Sequence, residues 1–289
     1  MIATYGLLSL AVLALWLGGP DSAPPWRRYA WLVLLGAATL AGLLAGFVQP
    51  AGLGWIVLLA VATGVFARPH LMPGPRVVLG VVILAVSGGL LVHWLPGFQN
   101  YRALYLVRFT PDAVPFTLFL NFDKTAAGLL LRGWSHSRLT RAADWRAIAG
   151  TVAVGAAAIV PVVIAISLGT GYVNFAPKFP PEAWLWVGVN LGFTCLAEEA
   201  VFRGFLQAQV RRLLGPVPGG SAWAIGISAI IFGLAHAAGG TTYIVLAVVA
   251  GVGYGWVYHR SGRIEASILT HFAVNATHFF LFTYPALQR

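Results

Sequence analysis

The chain has 289 residues, of which 59% are hydrophobic and only 9% charged, and its mean hydropathy is +0.82. Soluble domains carry about 25% charged residues, so this composition excludes an ordinary soluble enzyme. The net charge of +10 does not indicate nucleic acid. Its basic residues fall in short clusters between apolar runs, as in the cytoplasmic loops of a multi-pass membrane protein.

Those clusters are Arg27–Arg28, Arg68–Arg76, Arg132–Arg146, Arg211–Arg212 and Arg260–Arg263. The first apolar run, residues 2–19, resembles a signal peptide in hydropathy. It has no basic n-region and no small-x-small cleavage site, so it reads as a retained first span. Further apolar segments follow at 29–48, 53–67, 77–96, 147–170, 184–210, 222–238, 242–258 and 264–283. A helical crossing needs roughly 20 mostly apolar residues, so 53–67 and 222–238 are short and read as tilted or buried by neighbours. Trp26, Trp31, Trp94, Trp145 and Trp184 sit near segment ends and read as an interfacial belt. No internal repeat is evident. The pattern predicts an all-α, polytopic transmembrane helix bundle of about eight to ten membrane segments, multi-pass in a bacterial plasma membrane.

Residues 98–146 resist this scheme. An apolar stretch at 115–131 contains Asp123 and Lys124 and runs into the basic cluster that ends at Arg146. If every basic cluster is cytoplasmic, the chain crosses once between 97 and 132. That assigns 115–131 a crossing, with Asp123 and Lys124 paired or facing protein, ten crossings in all and both termini outside. The same bias puts the region before Arg211 toward the cytoplasmic leaflet.

The chain has only 8 acidic residues, and two of them, Glu198 and Glu199, are adjacent in the apolar stretch CLAEEAVFRGFLQ. An ionisable residue inside a membrane is expensive and marks a functional site by default. On a helix Glu199 and Arg203 share a face, in the favourable acid-then-base order. Glu198 points about 100° away and cannot share that arrangement equally. The helix therefore offers one compensated glutamate and one less compensated, and a desolvated carboxylate of the second kind can serve as a general base or acid. In the next apolar segment Phe232 and His236 are one turn apart, and in the last segment His271 and Asn275 are one turn apart, with His278 on nearly the same stripe. Singly, such residues are more often interhelical glue or satisfied core groups. Together on three segments they supply a base, imidazoles and an amide, the parts needed to activate water and stabilise an oxyanion.

The order EExxxR, FxxxH, HxxxN, here Glu198-Glu199 to Arg203, Phe232 to His236 and His271 to Asn275, resembles the CPBP family of intramembrane proteases, which includes the CAAX and bacteriocin-processing (ABI) enzymes. The resemblance covers about 145–285. It divides the chain into N-terminal segments of unassigned role, 1–143, and a CPBP-type catalytic bundle, 144–289. It implies an intramembrane endopeptidase that hydrolyses a peptide bond of a membrane-embedded or lipid-anchored substrate in the lipid bilayer, with no nucleic-acid partner. On that resemblance Glu198 is the general base, His236 assists it, and His271 and Asn275 stabilise the oxyanion. Glu199 and Arg203 orient Glu198, and Phe232 shapes the pocket.

The reading is glutamic-type and without a cofactor. HExxH is absent, since Ala-Ala-Gly-Gly follows His236. A zinc ion on Glu198, His236 and His271 is the open alternative, because those types suit a tetrahedral site. Two non-enzymatic rivals remain, a transporter using these groups as a proton relay and a catalytically idle immunity or partner protein. Cys195 reads as a packing residue, and His259 with Arg260 as a loop-end cation. Glycines 251, 253 and 255 follow no strand, so they read as close-packing positions in a span and not as a phosphate loop.

Overall fold

The computed structural model describes residues 1–17, 23–134 and 142–288. Residues 135–141, in the middle of the basic run 132–146, lie outside the described residues. In chain order the elements are α1 (Ile2–Leu17), α2 (Pro25–Arg28), α3 (Ala30–Leu44), α4 (Pro50–Phe66), α5 (Pro73–Leu91), β1 (Tyr101–Val107), β2 (Phe116–Leu120), α6 (Phe122–Gly133), α7 (Ala142–Gly169) and α8 (Ala183–Val189). A π-helical turn (Asn190–Cys195), α9 (Leu196–Glu199), a second π-helical turn (Ala200–Gln207) and α10 (Ala208–Leu214) continue α8 without a break. The chain ends in α11 (Gly220–Leu234), a 3₁₀ turn (Ala237–Gly239), α12 (Gly240–Ser261) and α13 (Ile264–Leu281).

Prolines open α2, α4 and α5, where a missing N–H costs nothing and the fixed φ suits a first turn. Gly262, at φ 64°, closes α12 by donating its N–H to the Tyr258 carbonyl. Among the described residues, four helices are long and apolar enough to cross a membrane: Pro73–Leu91, Ala142–Gly169, Ala183–Leu214 and Ala237–Ser261. Four shorter apolar helices accompany them: Ile2–Leu17, Ala30–Leu44, Pro50–Phe66 and Gly220–Leu234. The protein is an all-α membrane helix bundle whose helices follow the expected apolar segments to within a few residues.

The segment 115–131 departs from expectation. It folds as β2 followed by the 12-residue α6. At 1.5 Å per residue α6 is about 18 Å long, well short of a hydrocarbon core of about 30 Å. It is not a spanning helix, so the parity argument for ten crossings loses the crossing it required. Trp31 is a second correction. It is fully buried against Trp134, with ring centroids 5.7 Å apart, and is no part of an exposed belt.

The chain forms two compact units. The first comprises Met1–Tyr101, Leu120–Trp145 and Gly192–Phe205. Its centre is α6, which packs against α1, α3, α4, α5 and α9. Ten of its 12 residues are buried. A helix buried all round must be apolar or internally paired, and α6 carries its charges at its two ends, Asp123 and Lys124 in the first turn and Arg132 in the last. Gly128 is where it approaches α9: a Cβ there would lie 2.7 Å from Ala197 Cα. The second unit comprises Arg102–Phe119, Arg146–Leu191 and Leu206–Arg289. In it α11, α12 and α13 pack in sequence. Trp186 stacks on Phe279 at 4.1 Å and donates its indole N–H to Tyr284. The C-terminal segment is pinned along 172–178 by main-chain hydrogen bonds, such as Thr283 N–H to Asn174 O and Leu287 N–H to Tyr172 O. Lys178 donates to the Phe282 carbonyl in the same strip.

Two predictions follow from this packing. Gly128→Ala places a methyl against backbone and should destabilise the protein by about 1–3 kcal/mol. Gly54→Ala, where nothing lies within 4 Å, should be neutral or stabilising; thermal unfolding in detergent compares them. Burial pushes the Lys178 amine down to about 8, opposed by the Asp112 carboxylate. Between about pH 8 and the ordinary lysine value near 10.5 the unfolded chain binds the extra proton, so stability rises with pH across that window. The unfolding temperature of the wild type should rise from pH 8 to 10 relative to that of Lys178→Met.

Candidate active site

The acidic part of the motif lies in the first unit. Glu198 and Glu199 end the short α9, with a π-helical turn on either side. Such wide turns are rare and concentrate at functional sites. Glu199 and Arg203 are fully buried, and Arg203 Nη1 donates to Glu199 Oε1 at 2.9 Å. The expected pairing is therefore present. Glu198 is only 5% exposed. Its Oε1 accepts from Lys124 Nζ at 3.2 Å. This corrects the expectation of a less compensated glutamate: each carboxylate has its own cation. The reason is one the helix spacing could not show, because Lys124 lies 74 residues away in sequence.

Lys124 is itself held at a capped helix start. Asn100 Oδ1 accepts from the Phe122 N–H at 2.7 Å, and Asp123 Oδ1 accepts from the Lys124 N–H at 2.8 Å. These satisfy donors that the first turn of a helix leaves open, and an acidic residue there suits the helix dipole. Asp123 is in turn bound by Asn100 Nδ2 at 3.0 Å and by His93 Nδ1 at 2.6 Å. So Asp123 and Lys124 are both paired, as buried charges must be.

The imidazole part lies in the second unit. His236 Nδ1 is 2.7 Å from the Phe232 carbonyl oxygen. A carbonyl can only accept, so Nδ1 carries the proton in this bond. Phe232 sits between two imidazoles, its ring 4.6 Å from that of His236 and 5.8 Å from that of His271. Tyr254 stacks on His271 at 4.5 Å, and Tyr243 meets His236 edge-on at 5.3 Å. One turn along α13, Asn275 Nδ2 donates to Asn190 Oδ1 at 3.2 Å, which fixes the amide's rotation.

The structure thus gathers Phe232, His236 and His271 around shared aromatic contacts, and Glu198, Glu199 and Arg203 with Lys124. His278 is bound elsewhere, its Nε2 3.1 Å from the Thr283 carbonyl at the C-terminal segment. Cys195 is buried packing, and His259 lies exposed in the last turn of α12. Among the described residues, no three His, Cys, Asp or Glu side chains gather into a set able to hold a metal ion. Sequence reasoning missed Asn190, Tyr243 and Tyr254, and it did not identify Lys124 as the partner of Glu198. Only Lys124 carried a signal, as a lysine stranded in an apolar run.

Residues 180–277, about a third of the chain, match the family model described as "Rce1-like: Type II CAAX prenyl endopeptidase Rce1-like". No curated protein and no solved structure matches the chain. The matched stretch contains all three motifs, on apolar helices of an integral membrane protein, and over these residues the chain is similar to the CAAX protease family of intramembrane endopeptidases.

Proposed function

We propose that this protein hydrolyses a peptide bond of a membrane-embedded or lipid-anchored substrate with a water molecule activated by Glu198, without a metal ion. Glu198 takes a proton from the water as its oxygen adds to the scissile carbonyl carbon. The carbonyl oxygen becomes an oxyanion, which His271 and Asn275 stabilise by hydrogen bonding. His236, its Nδ1–H committed to the Phe232 carbonyl, assists through Nε2 as the proton passes to the leaving amine and the C–N bond breaks. Glu199 and Arg203 orient the helix segment that carries Glu198.

The observation that carries this reading is the state of Glu198, a nearly water-excluded carboxylate beside a second carboxylate already matched to Arg203. A helix held by the Glu199–Arg203 pair alone would not need it. The metal-free choice is supported by the cation already bound to Glu198, the Lys124 ammonium, which occupies one of its oxygens.

The test is cleavage of a membrane-associated peptide in detergent. Glu198→Gln should lower kcat by about 10²–10⁴-fold, the range expected for loss of a general base, and a chelator should leave wild-type activity unchanged. Equal activity of the two proteins would end the mechanism, and loss on chelation restored by zinc would replace the metal-free choice. Asn275→Ala should cost about 10²–10³ in kcat with KM nearly unchanged, the signature of a contact made only in the transition state. A change confined to KM would instead assign Asn275 to substrate binding.

A further inference from the structure

We propose that Lys124 is a positioning residue for Glu198, and that the Asp123–His93–Asn100 cluster keeps it aimed there. This rests on Glu198 being the hydrolytic base. It gives the N-terminal part of the chain, outside the residues matched by the family model, a part in the reaction.

A buried ion pair is weak grounds for stability, because desolvating two charges offsets most of their attraction, and well-packed apolar residues often do as well. The Lys124–Glu198 pair is buried at the glutamate and mostly shielded at the lysine, its side chains 14% and 7% exposed for Lys124 and Glu198. The Glu199–Arg203 pair beside it already ties the helix internally. A second buried pair is explained if Glu198 must be charged and held at one rotation. An ammonium on Oε1 does both: it offsets the cost of a desolvated carboxylate and removes its torsional freedom.

The construction behind Lys124 points the same way. Lysine is flexible, and a lysine on an exposed helix would not fix its partner. This one starts a helix buried almost throughout. Its own N–H and that of Phe122 are both capped. Asp123, 1% exposed, is bound from outside the helix by Asn100 and His93. His93 reaches it from the end of α5. There His93 and Trp94 donate their N–H groups to the carbonyls of Leu90 and Gly89, and His93 takes φ 58°. This is a Schellman helix end, whose left-handed position is usually glycine. Here a histidine holds it, and its ring meets Asp123 at 2.6 Å. Two residues from outside α6, His93 at the end of α5 and Asn100 beyond it, thus converge on the residue next to Lys124. Gly128, one turn further on, sets α6 against Ala197, the neighbour of Glu198. Lys124 and Glu198 are therefore held in register by main chain on both sides.

The test measures kcat, KM and thermal unfolding of wild type, Lys124→Met, Lys124→Arg and Glu198→Gln in detergent. Lys124→Met should lower kcat about 10²-fold with KM within about twofold, since the base is misplaced and substrate binding is not. Lys124→Arg, which keeps the charge, should recover kcat to within about tenfold of wild type. A Lys124→Met kcat within about threefold of wild type, with Glu198→Gln inactive, overturns the proposal and leaves the hydrolytic reading standing. Equal losses in Lys124→Met and Lys124→Arg overturn the role assigned to the charge. Glu198→Gln as active as wild type overturns the hydrolytic reading, and this proposal with it. Unfolding gives an arm independent of activity. Lys124→Met strands a buried carboxylate and should lower the unfolding temperature, and Glu198→Gln in the same chain should raise it again. A double variant no more stable than Lys124→Met overturns the pairing, including where Lys124→Met is too unstable to assay.

Discussion

Charge neutralisation in surroundings that do not solvate ions is the constraint on which this structure depends. Moving a carboxylate-sized ion into a low-dielectric medium costs of order 20 kcal/mol before relaxation, and an attraction of similar size returns only if the partner is close and well aligned. The first unit meets this requirement group by group. Arg203 answers Glu199 within one helix, and Lys124 answers Glu198 from another. Asp123 is answered by His93, Asn100 and the backbone of its own helix. In the second unit the polar groups of the motif are neutral or conditionally charged, and aromatic faces and hydrogen bonds suffice. Phe232, Tyr254 and Tyr243 contact the two imidazoles, and Asn190 holds the Asn275 amide. The different surroundings of the two sets follow from their different charge.

The helices were legible because hydropathy is additive along the chain. Among the described residues, eight α-helices of fifteen residues or more and the continuous run Ala183–Leu214 match the apolar segments, and prolines stand at the starts of α4 and α5. Residues 115–131 were misread for the same reason. A window average cannot separate a strand and a short buried helix from one spanning helix when both are apolar. Finer signals were present: Asn121 stands at the N-cap position and Asp123 in the first turn, the usual marks of a helix start. The charge bias outweighed them, although it is a tendency of loops and not a rule about any one segment.

For the motif residues, legibility tracks sequence separation. The Glu199–Arg203 pair and the Phe232–His236 contact are each one helical turn long, and spacing sufficed to find both. It could also place His271 and Asn275 on one face. It could not find Lys124, 74 residues from Glu198, or Asn190, 85 residues from Asn275. These partners are set by packing between helices, to which intrahelical periodicity is blind. The π-helical turns on either side of α9 escaped for a related reason. An angular argument at 100° per residue assumes a regular helix, and nothing in CLAEEAVFRGFLQ announces widened turns. The conclusion that Glu198 and Glu199 differ nonetheless survives in altered form. They differ in where their cations come from, and not in whether they have them.

That difference bears on how such a site can work. A cation one turn away on the same helix moves with its carboxylate, so the Glu199–Arg203 pair stiffens the helix but cannot locate it against anything else. A cation on a different buried helix supplies an external reference. Lys124 is such a reference, because α6 is enclosed by α1, α3, α4 and α5 as well as by α9. A base that must meet a water molecule and a peptide carbonyl within a few tenths of an ångström needs positional definition of this second kind. With Glu198 as the proposed base, the apolar N-terminal helices have a purpose beyond adding membrane spans. By burying α6 on every side they keep an ammonium in one place, and a desolvated carboxylate on α9 is held where that ammonium is.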